Sequence, residues 1–297
     1  MIKSTDLAYA AGYFDGDGCF HIGKTRSDNR IRYRAAFIIN STEVENVQWF
    51  QKIFGGKISS RKRRKSNHKI IYRYVLAGQE TRVFDPIFHF LIEKRKEFIF
   101  FKLFRESSDI FSKESLIEEL SNYKNSFNLV ERIHIKELNY IKKTAALIEE
   151  DFAYLAGFVD AECCLCIQKS FSKNRPNATY KIQLQCNNSK YPTFEWIAKR
   201  FGGQFHFIDR SKYRNHRNQI TWRLSSAALY PILQKIQPFL KHKKPVCDEL
   251  IKFYQTTFRR SGRPSPNSAH FTEFYRPILE EREAIFHKIQ QLNKKGI

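Results

Sequence analysis

The chain has 297 residues, a length that can bury a sizeable core and favours about two domains. Lys and Arg number 52 against 30 Asp and Glu, and the resulting formal charge of +22 favours a polyanionic partner such as nucleic acid over charge kept for solubility alone. An apolar fraction of 42% and 27 Phe exclude a disordered basic tail protein, and no segment reaches the roughly 18 uncharged apolar residues of a membrane span.

The N-terminal third of the chain predicts three helices and four strands. A helix starts near the Ser4–Asp6 caps and ends at the acids of AAGYFDGDG, residues 10–18. Two strands follow, then a helix around Trp49 that closes at Gly55-Gly56. Two further strands lead to a third helix from about Asp85. The order of elements is therefore αββαββα.

The second half of the chain repeats this order. LAGFVDAEC, residues 155–163, aligns with the first acid motif, so that Glu162 matches Asp17. Trp196 then matches Trp49, and Lys243 matches Lys94 in a third aligned segment. The third helix of this copy begins near Ala227. Three matches in the same order indicate a duplicated domain. We therefore expect repeat 1 at residues 1–128, a helical linker at 129–150, and repeat 2 with a C-terminal helix at 151–297.

The strands of both copies alternate between an apolar and a polar face. In TYKIQLQCN, residues 179–187, the apolar side chains fall on one face and Lys, Gln and Asn on the other. The predicted fold is thus α+β: two pseudo-symmetric αββαββα repeats, each a four-stranded antiparallel sheet backed by helices on one face. The other face carries side chains that hydrogen-bond base edges and phosphates.

Small residues precede the acids in both copies. Ala8, Ala11 and Gly12 recur at helical spacing, as do their counterparts in the second copy, and such stripes let two helices approach closely. If the copies meet along these stripes, Asp17 and Glu162 lie side by side. Two adjacent carboxylates repel unless divalent cations bind them. Divalent cations beside a basic sheet indicate phosphodiester hydrolysis.

Alternative interpretations of the acids and of the cysteines are less favoured. A single DGDG is most often a turn chosen for backbone geometry, but its return as DAEC keeps the acid and loses the glycines. An EF-hand calcium loop is excluded because Arg26 stands where that loop requires Glu. Cys163 and Cys166 lack a second Cys/His pair for zinc. The six cysteines predict reduced thiols in a reducing compartment, and the early acids argue against a signal peptide.

These motifs resemble those of the LAGLIDADG homing endonucleases in the monomeric, two-repeat form, over nearly the whole chain. The resemblance implies that Asp17 and Glu162 are catalytic, metal-binding acids and that the carbonyls of Gly16 and Ala161 complete the coordination. Asp15 and Asp160 would be structural. Lys243 and, less clearly, Lys94 would act on the water network or the transition-state charge. Glu43 and Lys190 would be unlike polar residues of two non-equivalent half-sites.

The resemblance also implies how DNA is bound. The outward faces would lie in the major groove, with Arg pairing with guanine and Gln or Asn with adenine. The basic run RKRRK, residues 61–65, would contact phosphate or remain solvated. The expected DNA-binding residues are Arg32, Arg34, Asn40, Arg61 and Arg73 in copy one, and Gln168, Lys181, Gln183, Gln185, Asn187 and Arg223 in copy two.

The implied activity is hydrolysis of both strands of a long, asymmetric double-stranded DNA target by a monomer, leaving 3′ overhangs. Two or three Mg²⁺ ions would be shared between the acids, with Mn²⁺ substituting and Ca²⁺ binding without cleavage, and with no small-molecule cofactor. The alternatives are an intron maturase bound to intron RNA, a non-cleaving DNA- or RNA-binding regulator, and a basic RNA-processing or ribosome-associated protein. The resemblance implies an intron-encoded gene. Richness in Lys, Ile, Asn and Phe is typical of an AT-rich genome, so the expected location is a chloroplast, a mitochondrion or a microbial cytoplasm.

Overall fold

The computed structural model describes residues 2–27, 30–61, 69–125, 132–143, 146–171, 178–210, 212, 217–256 and 271–295. The first copy and the connection that follows it comprise α1 (Ser4–Asp17), β1 (Gly18–Ser27), β2 (Arg30–Ser41), α2 (Val44–Phe54), β3 (Lys57–Arg61), β4 (Ile71–Ala77), a 3₁₀ helix (Gly78–His89), α3 (Arg95–Glu106), α4 (Ile110–Asn125) and α5 (Arg132–Tyr140). The second copy comprises α6 (Glu149–Glu162), β5 (Cys163–Ser170), β6 (Thr179–Asn188), α7 (Tyr191–Arg200), β7 (Gln204–Ile208), β8 (Gln219–Ser225), α8 (Ser226–Ile236), α9 (Lys244–Gln255) and α10 (Phe271–Lys295).

Each copy forms one four-stranded antiparallel sheet. The strand orders are β1-β2-β4-β3 and β5-β6-β8-β7, so the two sheets have the same topology. One face of each sheet is apolar and buried beneath the helices, as Phe37 and Tyr74 show in the first copy and Leu184 and Trp222 in the second. This confirms the predicted α+β fold of two duplicated repeats.

Helices α1 and α6 pack against each other through their glycines. A Cβ atom on Gly12 would lie 2.0 Å from the carbonyl oxygen of Tyr154, and one on Gly157 would lie 2.0 Å from that of Tyr9. Only a hydrogen in place of a side chain permits such a backbone approach. The small-residue stripes therefore meet as expected, and both helices end at the same place, at Asp17 and Glu162.

The structure corrects the predicted third helix of each repeat, which is two elements. In copy one a 3₁₀ helix, Gly78–His89, precedes α3, and in copy two α8 precedes α9. The break between the two elements carries the lysine segments, which are residues 92–94 within FLIEKRK and residues 241–243 within FLKHKK. At the N-terminus, Ser4 does not cap α1; its hydroxyl donates to Glu150 Oε1 at 2.7 Å.

The segment between the repeats is only partly helical in the described residues. Helix α5 covers Arg132–Tyr140, and α4 is an element that the sequence did not indicate. The boundaries at residues 128 and 150 remain a prediction. The C-terminal helix α10 packs on the second copy, where Asn293 donates to the carbonyl of Leu165 at 3.0 Å. The stretch 259–270 before it lies, with 62–65, outside the described residues.

The expectation that all cysteines are reduced is wrong for one pair. Cys163 and Cys186 form a disulfide, while Cys19, Cys164, Cys166 and Cys247 are free. The disulfide residues are direct neighbours in the β5–β6 register, on the buried face of the sheet. The register of two strands separated by a long hairpin was not predicted. None of the helices among the described residues has the length and apolarity needed to span a membrane.

Candidate active site

The second acid of each motif, Asp17 or Glu162, is the last residue of its helix, α1 or α6. A Cβ atom on Gly16 would lie 2.9 Å from Cγ of Glu162, so the two helix ends are adjacent. Burial raises the pKa of Glu162 to about 7, and the charge of Asp17 adds to this shift. Asp17 reaches solvent, but the surrounding protein still raises its pKa, against the opposing charges of Lys94 and Lys243.

The chemistry of this pair fits a divalent cation. Among the described residues, no donor makes a hydrogen bond or ion pair with either carboxylate. Two adjacent, partly desolvated carboxylates without protein donors favour a proton or a cation, and oxygen ligands suit Mg²⁺. The carbonyl of Gly16 accepts from Lys94 Nζ at 3.0 Å, so this predicted ligand already has a protein partner. Among the described residues, no side chain donates to the carbonyl of Ala161.

The first acid of each motif binds the backbone of a lysine segment, as the structural role predicts. Asp15 accepts from the N–H groups of Ile92 at 2.8 Å, Glu93 at 3.3 Å and Lys94 at 2.8 Å. Asp160 accepts from the equivalent groups of Lys241 at 2.7 Å, His242 at 3.4 Å and Lys243 at 2.8 Å. Because three donors converge on each carboxylate, each acid fixes the segment that precedes α3 or α9.

Both predicted lysines lie at the C-terminal ends of the motif helices. Lys94 Nζ donates to the carbonyls of Phe14, Gly16 and Gly18, and Lys243 Nζ donates to those of Val159 and Asp160 at 2.7 and 2.8 Å. A cation at a helix C-terminus is favoured by the helix dipole. Burial lowers the pKa of both ammonium groups. Lys94 thus occupies the position that matches Lys243 and shares its contact with the helix-end carbonyl, of Phe14 in copy one and Val159 in copy two.

The predicted pocket residues Glu43 and Lys190 precede α2 and α7 and face the lysine segment of the other copy. Lys190 Nζ lies 2.5 Å from Glu93 Oε1, and Glu43 Oε2 lies 3.8 Å from His242 Nδ1. Sequence reasoning missed Glu93 and His242, which immediately precede the two lysines, because the two residues differ in type and form no shared motif.

A cavity of about 570 Å³ adjoins the second of these pockets and is lined by Glu43, Glu45, His242 and Lys243. One ligand atom from each of Glu43, Glu45 and His242 lies within 4.8 Å of the others, a spacing that could hold a cation. Lys69 Nζ already contacts Glu43 Oε1 at 3.3 Å. One carboxylate of this cluster therefore already faces a protein cation, unlike the paired acids, for which the described residues show no such contact.

The groove face, by which we mean the sheet face without helices, carries all the predicted DNA-binding residues. In copy one Asn40 pairs with Arg73, and Arg32 and Arg34 lie further along β2; all four are exposed, as is Arg61 at the end of β3. The centre of this face differs from its rims, because Ala36 and Ile38 are buried there.

In copy two the centre of the groove face is a hydrogen-bonded ladder. Gln185 Oε1 accepts from Gln183 Nε2 at 3.0 Å and from Arg223 Nε at 3.1 Å. Asn187 Oδ1 accepts from Thr221 Oγ1 at 2.7 Å and from Gln185 Nε2 at 3.5 Å. Lys181 and Gln168 extend the face, and both are exposed.

The sequence of the chain matches a known protein family, and its structure matches known proteins. The model described as LAGLIDADG endonuclease matches residues 10–106 and 155–256. Among solved structures, the meganuclease I-SmaMI bound to uncleavable DNA with a TTCT central four has a TM-score of 0.65 at 15% identity, covering 96% of this chain and 99% of that one. The homing endonuclease I-GzeII in complex with its DNA target has a TM-score of 0.60 at 16% identity, covering 93% and 97%.

I-SmaMI bound to cleaved DNA has a TM-score of 0.64 at 16% identity, covering 94% of this chain and 95% of that one. At these identities the likeness to solved structures shows a shared fold. No curated protein sequence matches the chain.

Proposed function

The chain belongs to the LAGLIDADG endonuclease family, with both repeats in one polypeptide, and we propose that it is a site-specific DNA endonuclease. Its substrate is a long, asymmetric double-stranded DNA site, both strands of which it hydrolyses as a monomer with Mg²⁺, leaving 3′ overhangs. The observation that carries this proposal is the pair of adjacent carboxylates, Asp17 and Glu162, whose pKa values are raised and which receive no hydrogen bond from the described residues. A protein that only bound nucleic acid would have no use for that repulsion.

Asp17 and Glu162 would hold the metal ions, each acid serving mainly one DNA strand. Bound divalent cations supply Lewis-acid activation of a phosphodiester and stabilise the leaving oxygen. Because a proton competes with the metal for each carboxylate, the raised pKa of Glu162 should make activity fall as the pH drops.

Lys94 and Lys243 contribute positive charge beside the acids. Their ammonium groups reach the helix-end carbonyls next to Asp17 and Glu162, where a negatively charged phosphodiester would be drawn toward fixed cations. The groove faces would bind the DNA on either side. Because copy one has a buried apolar centre where copy two has a polar ladder, the two halves of the target should differ in sequence.

The test is cleavage of a randomised double-stranded DNA library by the full chain with Mg²⁺. We expect discrete double-strand products at one asymmetric site, lost in Asp17→Asn and in Glu162→Gln while binding in Ca²⁺ persists. Asp6→Asn and Glu149→Gln are matched controls, because they make the same chemical change near the opposite ends of α1 and α6. Selective binding without cutting, unchanged by the two active-site variants, would overturn the proposal in favour of a maturase or regulator.

A further inference from the structure

We propose that Tyr9 and Tyr154 are crossed positioning residues: each sets, from the opposite copy, the lysine segment of the other half of the active site. The lysine segments are residues 92–94 in copy one and 241–243 in copy two. This inference rests on the proposed function for its effect on cleavage, although the positioning itself is independent of it.

The first observation is the direction of the tyrosine contacts. Tyr9, in α1 of copy one, donates its hydroxyl to Asp160 Oδ2 of copy two at 2.8 Å. Tyr154, in α6 of copy two, donates to Asp15 Oδ2 of copy one at 2.6 Å. Both tyrosines are at most 2% exposed, and both aspartates are at most 4% exposed. A buried hydroxyl on a buried carboxylate is a charge-assisted bond, costly to lose.

The second observation is that the same aspartates also accept hydrogen bonds from the backbone of the lysine segments. Oδ2 of Asp160, which binds Tyr9, also accepts from the backbone N–H groups of Lys241 and His242, while Oδ1 accepts from that of Lys243. Asp15 repeats this arrangement with residues 92–94. Since a carboxylate rotates as one planar group, the hydroxyl that orients it also orients the three backbone donors.

The lysine side chains complete the path to the active site. Lys243 Nζ binds the carbonyls of Val159 and Asp160, and Lys94 Nζ binds those of Phe14, Gly16 and Gly18. The two halves differ in one further contact. Lys241 Nζ lies over the rings of Tyr9 and Trp49, at 5.1 and 5.2 Å from their centroids. The equivalent of Lys241 in copy one is Ile92, which cannot make this contact.

The experiment follows each DNA strand separately. The target site carries a different label on each strand, and cutting is measured with enzyme in excess at saturating concentration, so that rates report the reaction and not the binding. Lys243→Met and Lys94→Met first identify the strand that each lysine serves. Tyr9→Phe should then slow the Lys243 strand by about tenfold, and Tyr154→Phe the Lys94 strand, with Kd for DNA unchanged within about twofold. Tyr13→Phe, a buried tyrosine of α1 that contacts neither lysine segment, is the matched control.

Amide hydrogen exchange gives a second measurement that does not need cleavage. Tyr9→Phe should lower the protection of residues 241–243 while leaving residues 92–94 unchanged, and Tyr154→Phe should do the reverse. Equal loss on both segments, equal slowing of both strands, or an effect on the same-copy segment would overturn the inference. If wild-type protein cut no DNA, the proposed function would fail, and exchange would still decide the positioning. Each variant tests its own segment, so one that failed to fold would leave the other decisive.

Discussion

The pockets beside the two lysine segments have the same backbone positions, but the acidic residue stands at the opposite position of each pair. On one side Glu93, which precedes the lysine, binds Lys190, which precedes α7. On the other side His242 precedes the lysine and faces Glu43, which precedes α2. The acid is thus the residue before the lysine in the first pocket and the residue before the helix in the second. Since the repeats share their fold, this difference shows that each pocket contains a polar pair between the copies, made by different residue types in the two pockets.

The two pockets differ in environment as well as in charge order. The side chain of Glu93 is fully buried and also accepts from Thr193 Oγ1 at 3.1 Å, whereas the side chain of Glu43 is 17% exposed and contacts Lys69. A buried acid depends on its partner far more than a solvated one does. The half-sites are therefore equivalent in geometry and unequal in energy.

The helix contact is the region where the copies should behave alike, and it gives the largest expected effect. Gly12→Ala and Gly157→Ala each place a methyl group 2.0 Å from a backbone oxygen, so the helices must separate. We expect each variant to lose more than about 4 kcal/mol of unfolding free energy, measured by urea denaturation. Gly23→Ala, whose new Cβ would meet only the His21 ring at 3.3 Å, should stay within about 1 kcal/mol. A large loss in only one of the two helices would show that the contact is not symmetric.

The two pockets should respond differently to loss of one partner. Lys190→Met leaves the Glu93 carboxylate buried without its ammonium, and we expect a loss of about 3 kcal/mol of unfolding free energy. Glu43→Gln, in the more solvated pocket, should cost less than about 1 kcal/mol. Denaturation of both variants measures this difference.

The double variant Lys190→Met with Glu93→Gln identifies the cause of the larger loss. Neutralising Glu93 should recover most of the stability if the unpaired charge is responsible. No recovery would mean that Lys190 contributes through packing instead.

The paired acids should make stability depend on pH, most clearly through Glu162. Its folded pKa, about 7, lies above the ordinary value of 4.5, so the folded state binds the proton more tightly. The carboxyl therefore has no destabilising effect below about pH 4.5, and stability falls as pH rises toward 7, by up to about 3 kcal/mol. Glu162→Gln should be more stable than wild type at pH 8 without divalent metal, and equal at pH 4. Thermal melting at both values measures this, and added Mg²⁺ should stabilise only wild type.

Much of the fold and the core of the site could be predicted from the sequence because the duplicated domain repeats each motif at a matching position. Asp17 and Glu162 fall at matching positions after small-residue stripes, and the structure places them at adjacent helix ends. The alternation of β2 and β6 likewise placed the predicted DNA-binding residues of these strands on one face. These features follow from short-range periodicity, which is local in sequence.

The contacts between the copies could not be predicted. Tyr9 and Tyr154 look like ordinary core aromatics, because the carboxylates that they bind lie more than a hundred residues away. Glu93 and His242 are unlike residues at equivalent positions, so no shared motif marked them. The Cys163–Cys186 disulfide depends on strand register, which alternation alone leaves undetermined.

The centres of the groove faces give the smallest expected effect and the sharpest test of asymmetry. Gln185 Oε1 already accepts two hydrogen bonds, so its carbonyl has no lone pair for the N6 amino group of adenine. With Arg223 beside it, this position can only donate, and we expect the DNA library to select guanine there, whose O6 and N7 both accept. Gln185→Ile, which installs the residue found at the matching position Ile38, should reduce the preference by about 1 to 2 kcal/mol, or about tenfold. The reciprocal Ile38→Gln has no equivalent of Arg223 to orient it, because Val75 stands at that position. It should therefore leave copy one without a guanine preference; selection of adenine by wild-type Gln185 would show that the ladder opens when DNA binds.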